Sequence, residues 1–510
     1  PVYSKIPGMS NEYLTKSIRG AITMLSLEDH GPEEVYAKER GMDTWIEAYT
    51  HMHNPADEES YKKAKKRVVY DELFNFYKNI GSQSSVTTES LFTLSATPKS
   101  DSYLDSLPFS LTNSQQKAID SLREVFKGEK QTDTLIFGDV GAGKTLVAFW
   151  AMLAAGEAGK QAALMCPTQV LAEQHYNELA KVAKNFGFKA AYLVAGLRKK
   201  EKEEILKGLR DGSIDFVVGT HSIISDGIEM KALALAIVDE EHKFGVEQKE
   251  KIRSKAKEGV HYIAMSATPI PRSLALSIYN RNTKVLLIDE MPKDRKPIVT
   301  KVTSKEGAVY DFLLKHIKKG RQAYVICPLI EDSETGTFED VQSVHESYKI
   351  LQSYFATEPD VKISFITGNM TKAKISEEVE KFKKNETNIL ISTTIVEVGV
   401  NNQNANMIII KSAERYGLAQ LHQLRGRVGR GDIQSYCVLL TSSPAEKLDI
   451  MCRTANGFEV AEEDMKIRGA GSLSGVQQTG YSKEVELLIK HPSIAKQARV
   501  DAEQYLKGSK

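Results

Sequence analysis

The chain has 510 residues, of which 41% are apolar and 26% charged, with 34 Gly and 15 Pro. These proportions belong to a soluble globular protein and exclude disordered, collagen-like and membrane-spanning classes; at about 150 residues per domain the length suggests three domains, with two or four next. Lys and Arg number 68 against 67 Asp and Glu, a net charge of +1, so any polyanionic partner has to be held by local patches.

Residues 1–104 carry helix-like segments, notably Asn11 to Met24 and Glu58 to Ile80, without a chemical motif. The basic run Lys62-Lys63-Ala64-Lys65-Lys66-Arg67 reads as a solvated helix face before it reads as a DNA patch. Ser82 to Ser102 is rich in Ser and Thr and reads as a linker. From Leu111 onward short β-rich runs alternate with helix-length amphipathic ones, at Thr134–Phe137, Ala162–Cys166, Phe216–Gly219, Leu235–Val238 and Tyr262–Met265. A second series follows at Ala323–Cys327, Lys362–Ile366, Ile389–Ser392, Met407–Ile410 and Tyr436–Leu440. Such alternation predicts two α/β lobes built on parallel sheets. No short repeat is evident between the two series, so any kinship is expected to be architectural. The most apolar stretch, Leu146 to Gly156, is too short for a bilayer crossing of about 18–20 residues and predicts a buried helix. Cys166, Cys327, Cys437 and Cys452 lie far apart without a CxxC pair, which argues against a disulfide framework or zinc site and suits a reducing cytoplasm.

The strongest chemical signal is Gly138-Asp139-Val140-Gly141-Ala142-Gly143-Lys144-Thr145, a GxxxxGK[ST] loop between an apolar strand and a helix. Its glycines let backbone N–H groups turn toward phosphates at the positive end of the following helix. Lys144 is expected to reach the β- and γ-phosphates of ATP, and the Thr145 hydroxyl to ligate Mg²⁺. A second carboxylate for the metal is needed at another buried strand end. Leu235-Ala236-Ile237-Val238-Asp239-Glu240-Glu241-His242 supplies it, with Asp239 as metal ligand and Glu240 positioning and deprotonating the attacking water.

In the second series Gln420-Leu421-His422-Gln423-Leu424-Arg425-Gly426-Arg427-Val428-Gly429-Arg430 places three arginines within six residues. Arg427 and Arg430 are three apart, so on a helix they share a face and can act as arginine fingers on transition-state charge. Of the histidines, His242 sits beside the carboxylates, whereas His175, His221 and His422 are read as ordinary helix or loop residues, and no metal cluster beyond ATP-bound Mg²⁺ is expected.

Together these clusters make the chain resemble the superfamily 2 helicases and translocases, which implies two RecA-like lobes with ATP between them and nucleic acid across them. In that resemblance Gln115, within Leu111-Thr112-Asn113-Ser114-Gln115, reads adenine and Phe109 stacks on it, and Gln423 joins the catalytic set. Pro167-Thr168-Gln169, Gly219-Thr220-His221, Ser266-Ala267-Thr268 and Thr393-Thr394-Ile395-Val396-Glu397-Val398-Gly399 match further family blocks. Thr168, Thr220, Thr394 and Gly399 are then expected at the phosphodiester backbone, contacts that carry no sequence information.

Phe244-Gly245-Val246-Glu247-Gln248, Ala267-Thr268-Pro269-Ile270-Pro271-Arg272-Ser273-Leu274 and Ala413-Glu414-Arg415-Tyr416-Gly417-Leu418-Ala419-Gln420-Leu421-His422 are similar to the RecG family, helicases that remodel stalled forks and branch-migrate Holliday junctions. The resemblance implies a helical linker region over 1–104, an ATP-binding lobe over 105–292, a second lobe over 293–442 and a translocation element with C-terminal helices over 443–510. Arg468 and Gln478 are its candidates within that element. It also implies a wedge domain before this chain's start, branched or forked double-stranded DNA and a single-stranded DNA-binding protein as partners, no membrane contact, a monomer, and a bacterial cytoplasmic, nucleoid-associated location. Glu241, Asn401 and Gln403 depart from the family pattern. The motor of a transcription-repair coupling factor is the alternative.

Overall fold

The structure, a computed structural model, describes residues 9–24, 31–82, 98–128, 130–255, 259–266, 283–292, 296–328, 337–393, 402–429, 431, 433–443, 446–468, 484, 487–488 and 490–508. These fall into two compact units, one drawn from within Pro1–Thr87 and Arg468–Lys510, the other from within Thr88–Arg272 and Thr283–Ile467.

The first unit is helical: Asn11–Ile22, Glu33–Glu39, Trp45–His53, Glu58–Ser82 and Pro492–Gly508. Helix Glu58–Ser82 turns Val69, Tyr70, Leu73, Phe74, Phe76 and Tyr77 inward. It also buries Arg67, whose guanidinium donates to Glu34 Oε2 at 2.6 Å, Asp71 Oδ1 at 2.7 Å and the Asp43 carbonyl at 2.7 Å. A buried cation is tolerable only with such a full set of acceptors. The basic run expected on this helix therefore divides. Lys62 and Lys63 are exposed and pair with Glu58 and Glu59 one turn earlier, while Arg67 faces the core. Asp501 fastens the last helix to this bundle by accepting from Arg40 through both oxygens and from the Tyr70 hydroxyl at 2.7 Å.

The second unit holds two parallel sheets. The strands of the first lobe are β1 (Asp133–Gly138), β2 (Gln161–Met165), β3 (Ala190–Leu193), β4 (Phe216–Gly219), β5 (Leu233–Val238), β6 (His261–Ser266) and β7 (Thr283–Ile288), in spatial order β3-β4-β2-β5-β6-β1-β7. Those of the second are β8 (Val299–Thr303), β9 (Gln322–Ile326), β10 (Ile363–Ile366), β11 (Ile389–Ser392), β12 (Ala405–Ile410) and β13 (Tyr436–Leu440), ordered β10-β11-β9-β12-β13-β8. Every strand expected from the sequence is present. The expected runs omitted β3, β7 and β8; β7 and β8 are sheet-edge strands in which Lys284, Thr300 and Lys301 interrupt the apolar run. Helix Lys144–Glu157 crosses the first lobe with Leu146 to Gly156 all buried, as their composition requires.

The two strand orders superimpose when β8 is set on β1, β9 on β2, and so on to β13 on β6. That correspondence corrects the expectation that no short repeat links the lobes. Gln161-Ala162-Ala163-Leu164-Met165-Cys166-Pro167 on β2 answers Gln322-Ala323-Tyr324-Val325-Ile326-Cys327-Pro328 on β9. The glutamines do the same work. Gln161 Nε2 donates to the Leu209 and Ile214 carbonyls at 3.0 and 2.7 Å and its Oε1 accepts from the Ala232 amide. Gln322 Nε2 donates to the Phe382 and Thr387 carbonyls at 2.5 and 2.6 Å and its Oε1 accepts from Asn402. Each peg donates to two carbonyls where a helix turns into the next strand: those of Leu209 and Phe382 also accept from main-chain amides, while those of Ile214 and Thr387 take the second hydrogen of the peg.

A second pair follows β5 and β12. Glu240 and Ser412 both adopt φ of 50°, each the second residue beyond its strand end, and each leads into a single 3₁₀ turn. Then come Phe244-Gly245-Val246-Glu247-Gln248 and Tyr416-Gly417-Leu418-Ala419-Gln420, in which the glutamine accepts from the amide of its glycine at 3.3 and 3.1 Å. Spacings of 84 residues in one lobe and 95 in the other, from Gln161 to Gly245 and from Gln322 to Gly417, hide this repeat from a short-window scan.

Candidate active site

The phosphate loop joins β1 to helix Lys144–Glu157. Gly141 and Gly143 have φ of 79° and 90°, left-handed values that open the loop, and a side chain at Gly143 would collide with the Gln115 amide. The Lys144 ammonium folds over the loop and donates to the Gly138 and Asp139 carbonyls at 2.8 and 2.9 Å. It thus stands in the cradle where phosphates would offer it better acceptors.

Gln115 takes a different part from the one expected. Its Oε1 accepts from the Thr112 amide at 2.9 Å, closing a capping box at the start of helix Asn113–Lys127, and its Nε2 donates to the Ala142 carbonyl at 2.8 Å. Only 1% exposed, it buttresses the phosphate loop from behind, and its amide is engaged there rather than open to a base. Phe109, by contrast, is 41% exposed and free of the core, as a stacking residue must be.

Asp239 lies at the end of β5, 8% exposed. Its Oδ2 accepts from His175 Nε2 at 2.9 Å and its Oδ1 from the Glu240 amide at 3.0 Å. Burial pushes this carboxyl up, but the His175 hydrogen bond and charge, Lys144 and the Glu240 amide together outweigh it and hold the group below its ordinary value. An ionised carboxylate has about four lone-pair sites, so each oxygen keeps one for a cation. Asp239 and the half-buried Thr145 are accordingly the groups that could hold a divalent metal. Among the described residues there is no group of three or more His, Cys, Asp and Glu that could hold a metal ion. Glu240 follows in a left-handed conformation that costs a non-glycine residue about 1–2 kcal/mol.

The second lobe meets this loop through the turn after helix Leu418–Arg425. That helix ends at Arg425, so Arg427 projects from the turn and not, as its spacing suggested, from a helical face. The turn presses Gly426 against Val140 closely enough that an added methyl would lie 2.8 Å from the Val140 side chain. Burial lowers the Arg427 guanidinium from its usual value, while the charge of Glu240 opposes the change. Gln423 sits half-buried on the helix. The Arg425 guanidinium is structural, donating to the Met451 and Thr454 carbonyls at 2.7 and 2.8 Å.

Two further expectations are revised. Thr168 is the N-cap of helix Gln169–Asn185, its Oγ1 accepting from the Leu171 amide at 3.3 Å, so a backbone phosphate there would meet a helix N-terminus. Thr220 is 2% exposed because β4 packs so tightly on β3 that a side chain at Gly219 would meet the Leu193 carbonyl; its exposed neighbour is His221. Arg430, Thr394, Gly399, Gln478 and Asn401 lie outside the described residues, as does the side chain of Arg468.

Residues 112–276 match the DEAD/DEAH box helicase family and residues 304–432 the helicase conserved C-terminal domain. The ATP-dependent DNA helicase RecG of Streptococcus pneumoniae serotype 4 is 40% identical over 512 residues, covering 98% of this chain and 75% of the relative. The chain belongs to the RecG family. The RecG of Bacillus subtilis is 37% identical over 514 residues, covering 98% of this chain and 74% of its own. A solved structure of RecG bound to a three-way DNA junction matches with a TM-score of 0.75 at 34% identity, over 95% of this chain and 66% of that one. As a RecG-type chain, it is an ATP-hydrolysing helicase with two RecA-like lobes, and the transcription-repair alternative is not favoured.

What the sequence reading missed in this RecG motor is its histidines. His175 pairs with Asp239, and His422 Nε2 lies 2.5 Å from Asp139 Oδ1 in the phosphate loop, across the junction of the lobes. Two signals were available: His175 falls seven residues after Thr168, on the helix that opens beside the carboxylate strand, and His422 lies inside the arginine block.

Proposed function

We propose that the chain is the motor of a branched-DNA remodelling enzyme: it hydrolyses ATP between its lobes and uses the cycle to move along double-stranded DNA, reversing forks and migrating junctions. One observation carries this reading. A single unit brings a phosphate loop, a carboxylate strand end and an arginine turn from the opposite lobe to one place. The junction-bound RecG supports the choice of branched DNA.

In this reading Lys144 leaves the Gly138 and Asp139 carbonyls for the β- and γ-phosphates. Asp239, aligned by His175, and Thr145 hold Mg²⁺, which supplies positive charge against the phosphate oxygens. Glu240 orients and deprotonates water, and Arg427, with Arg430 and Gln423, faces the charge that develops on the transferred phosphoryl group. Phe109 stacks on the base, and Gln115 keeps the loop in shape. Thr168, with Thr394 and Gly399, meets the DNA backbone, and residues 443–510 carry the translocation element through Arg468 and Gln478. A monomer in the bacterial nucleoid, with single-stranded DNA-binding protein as a partner, completes the proposal.

Steady-state ATPase titrations with forked DNA, linear duplex and RNA test it. Hydrolysis should rise most with forked DNA, and Lys144→Ala should abolish the rise; DNA-indifferent turnover, or stimulation that survives Lys144→Ala, would sink it.

A further inference from the structure

Asp139, the second residue of the phosphate loop, spends its side chain outside the phosphate cradle. Its Oδ1 meets His422 Nε2 at 2.5 Å and the Val140 amide at 2.6 Å, and its Oδ2 accepts from the Gly457 amide at 2.9 Å. Gly457 is the first residue of helix Gly457–Arg468. The carboxylate is buried; burial raises its pKa, and the hydrogen bonds from His422 and from the Gly457 and Val140 amides more than reverse that.

The roles of the two His422 nitrogens are settled by its neighbour. Arg425 lies 2.8 Å from His422 Nδ1, and a guanidinium can only donate, so Nδ1 accepts and Nε2 carries the hydrogen that goes to Asp139. Arg425 is anchored in turn by the carbonyls of Met451 and Thr454, immediately before Gly457. The ring Arg425, His422, Asp139, Gly457 thus closes on itself through both lobes. Phe458 adds an edge-on contact to Phe137 of β1, with ring centroids 5.3 Å apart. The space is tight: a methyl group at Gly457 would sit 2.7 Å from His422 Nε2 and 2.8 Å from Asp139 Oδ2.

We propose that His422 is a positioning residue that, through Asp139, makes the phosphate loop and the N-terminus of helix Gly457–Arg468 one mechanical element, so that nucleotide entering the loop is felt directly at that helix. The proposal rests on the reading of the loop as an ATP site. The route is separate from the arginine turn: nucleotide draws Lys144 off the Asp139 carbonyl, the loop readjusts about that residue, and the carboxylate on the same residue carries the change to the Gly457 amide.

The two side-chain amides dissect it. Gln can place an N–H where His422 Nε2 stands, whereas Asn reaches only as far as Nδ1, keeping an acceptor for Arg425 and losing Asp139. Amide hydrogen exchange of residues 454–462 is followed in the full chain with and without a non-hydrolysable ATP analogue. In the unmodified chain the analogue should change exchange there by about tenfold. His422→Gln should retain that response and His422→Asn should lose it. Gly457→Ala, whose methyl group would fill the clasp, should lose it as well. DNA-stimulated turnover should split the same way, with kcat falling about tenfold in His422→Asn while KM for ATP stays within about twofold. Equal behaviour of the Asn and Gln variants, or an unmodified chain that binds analogue without any change at 454–462, overturns the clasp. A chain that binds no analogue overturns it together with the ATP-site reading, and a fluorescent-nucleotide titration separates the two failures.

Discussion

The lobes of the motor share a backbone plan down to single residues, yet only one of them carries a phosphate loop and a carboxylate at the strand end. After β5 the plan reads Asp239 then left-handed Glu240; after β12 it reads Lys411 then left-handed Ser412. Asp239 and Lys411 even make the same main-chain bond, each amide donating at 2.9 Å to the last residue of the neighbouring strand, Met165 or Ile326. Between β1 and its helix lies the glycine loop. Between β8 and helix Glu306–Ile317 lie Ser304 and Lys305, with no glycine and no cradle. The strained turn is therefore a property of the fold, retained in a lobe where it bears no carboxylate. Catalysis was added by side chains at one copy of a shared device.

The difference breaks most sharply at the turn itself. Glu240→Gln should lower kcat for ATP hydrolysis about 10²–10⁴-fold, the worth of a general base, whereas Ser412→Ala, at the matching position, should leave kcat within about twofold. A large loss in the second variant would mean that the lobe-2 turn is part of the chemistry.

The glutamine pegs should show the lobes alike. Gln161→Ala and Gln322→Ala each leave one carbonyl, that of Ile214 or Thr387, without its side-chain donor and should cost about 1–3 kcal/mol in denaturant unfolding. If only one does, the equivalence of the two strands is superficial.

A smaller effect falls on the histidine that has no lobe-2 counterpart. His175→Ala leaves Asp239 short of one donor; about 1–2 kcal/mol of stability and a weaker apparent Mg²⁺ affinity should be lost, with the Mg²⁺ dependence of turnover as the readout. An unaltered Mg²⁺ requirement would reduce His175 to a packing residue.

Smallest is the acid limb. Asp139 and Asp239 are both held below their ordinary values, so each adds stability above the unfolded carboxylate pKa of about 3.9 and loses it as pH falls below that through the depressed value. Lobe 1 should thus weaken first below about pH 4. Trp150, buried in its core, reports this by fluorescence in a Trp45→Phe background, and Asp239→Asn should flatten the slope. No change in slope would place the acid-sensitive groups elsewhere.

Much of this was legible beforehand. The buried parallel strands announced themselves as continuous apolar runs, and the phosphate loop and carboxylates by type and spacing, since both depend on neighbours in sequence. Edge strands β7 and β8 escaped because their lysines and threonines dilute the apolar signal. The family resemblance puts Gln115 at the base, but a resemblance is silent about the Ala142 carbonyl 2.8 Å from its amide. Arg427 was put on a helix that ends two residues earlier, a boundary set by the fit of Gly426 on Val140.

By itself, the sequence determined the two parallel-sheet lobes, the glycine-rich loop after the first strand, the carboxylates at the end of β5 and the family, because each is written in local pattern. Only the tertiary structure decided which polar groups serve one another: that His175 belongs to Asp239, that Asp139 belongs to His422 and Gly457, and that two distant glutamines are one device used twice. Those pairings are dictated by burial, where a polar group must find a partner of the right sense within about 3 Å. Which partner arrives is settled by the packing of strands and lobes far apart along the chain.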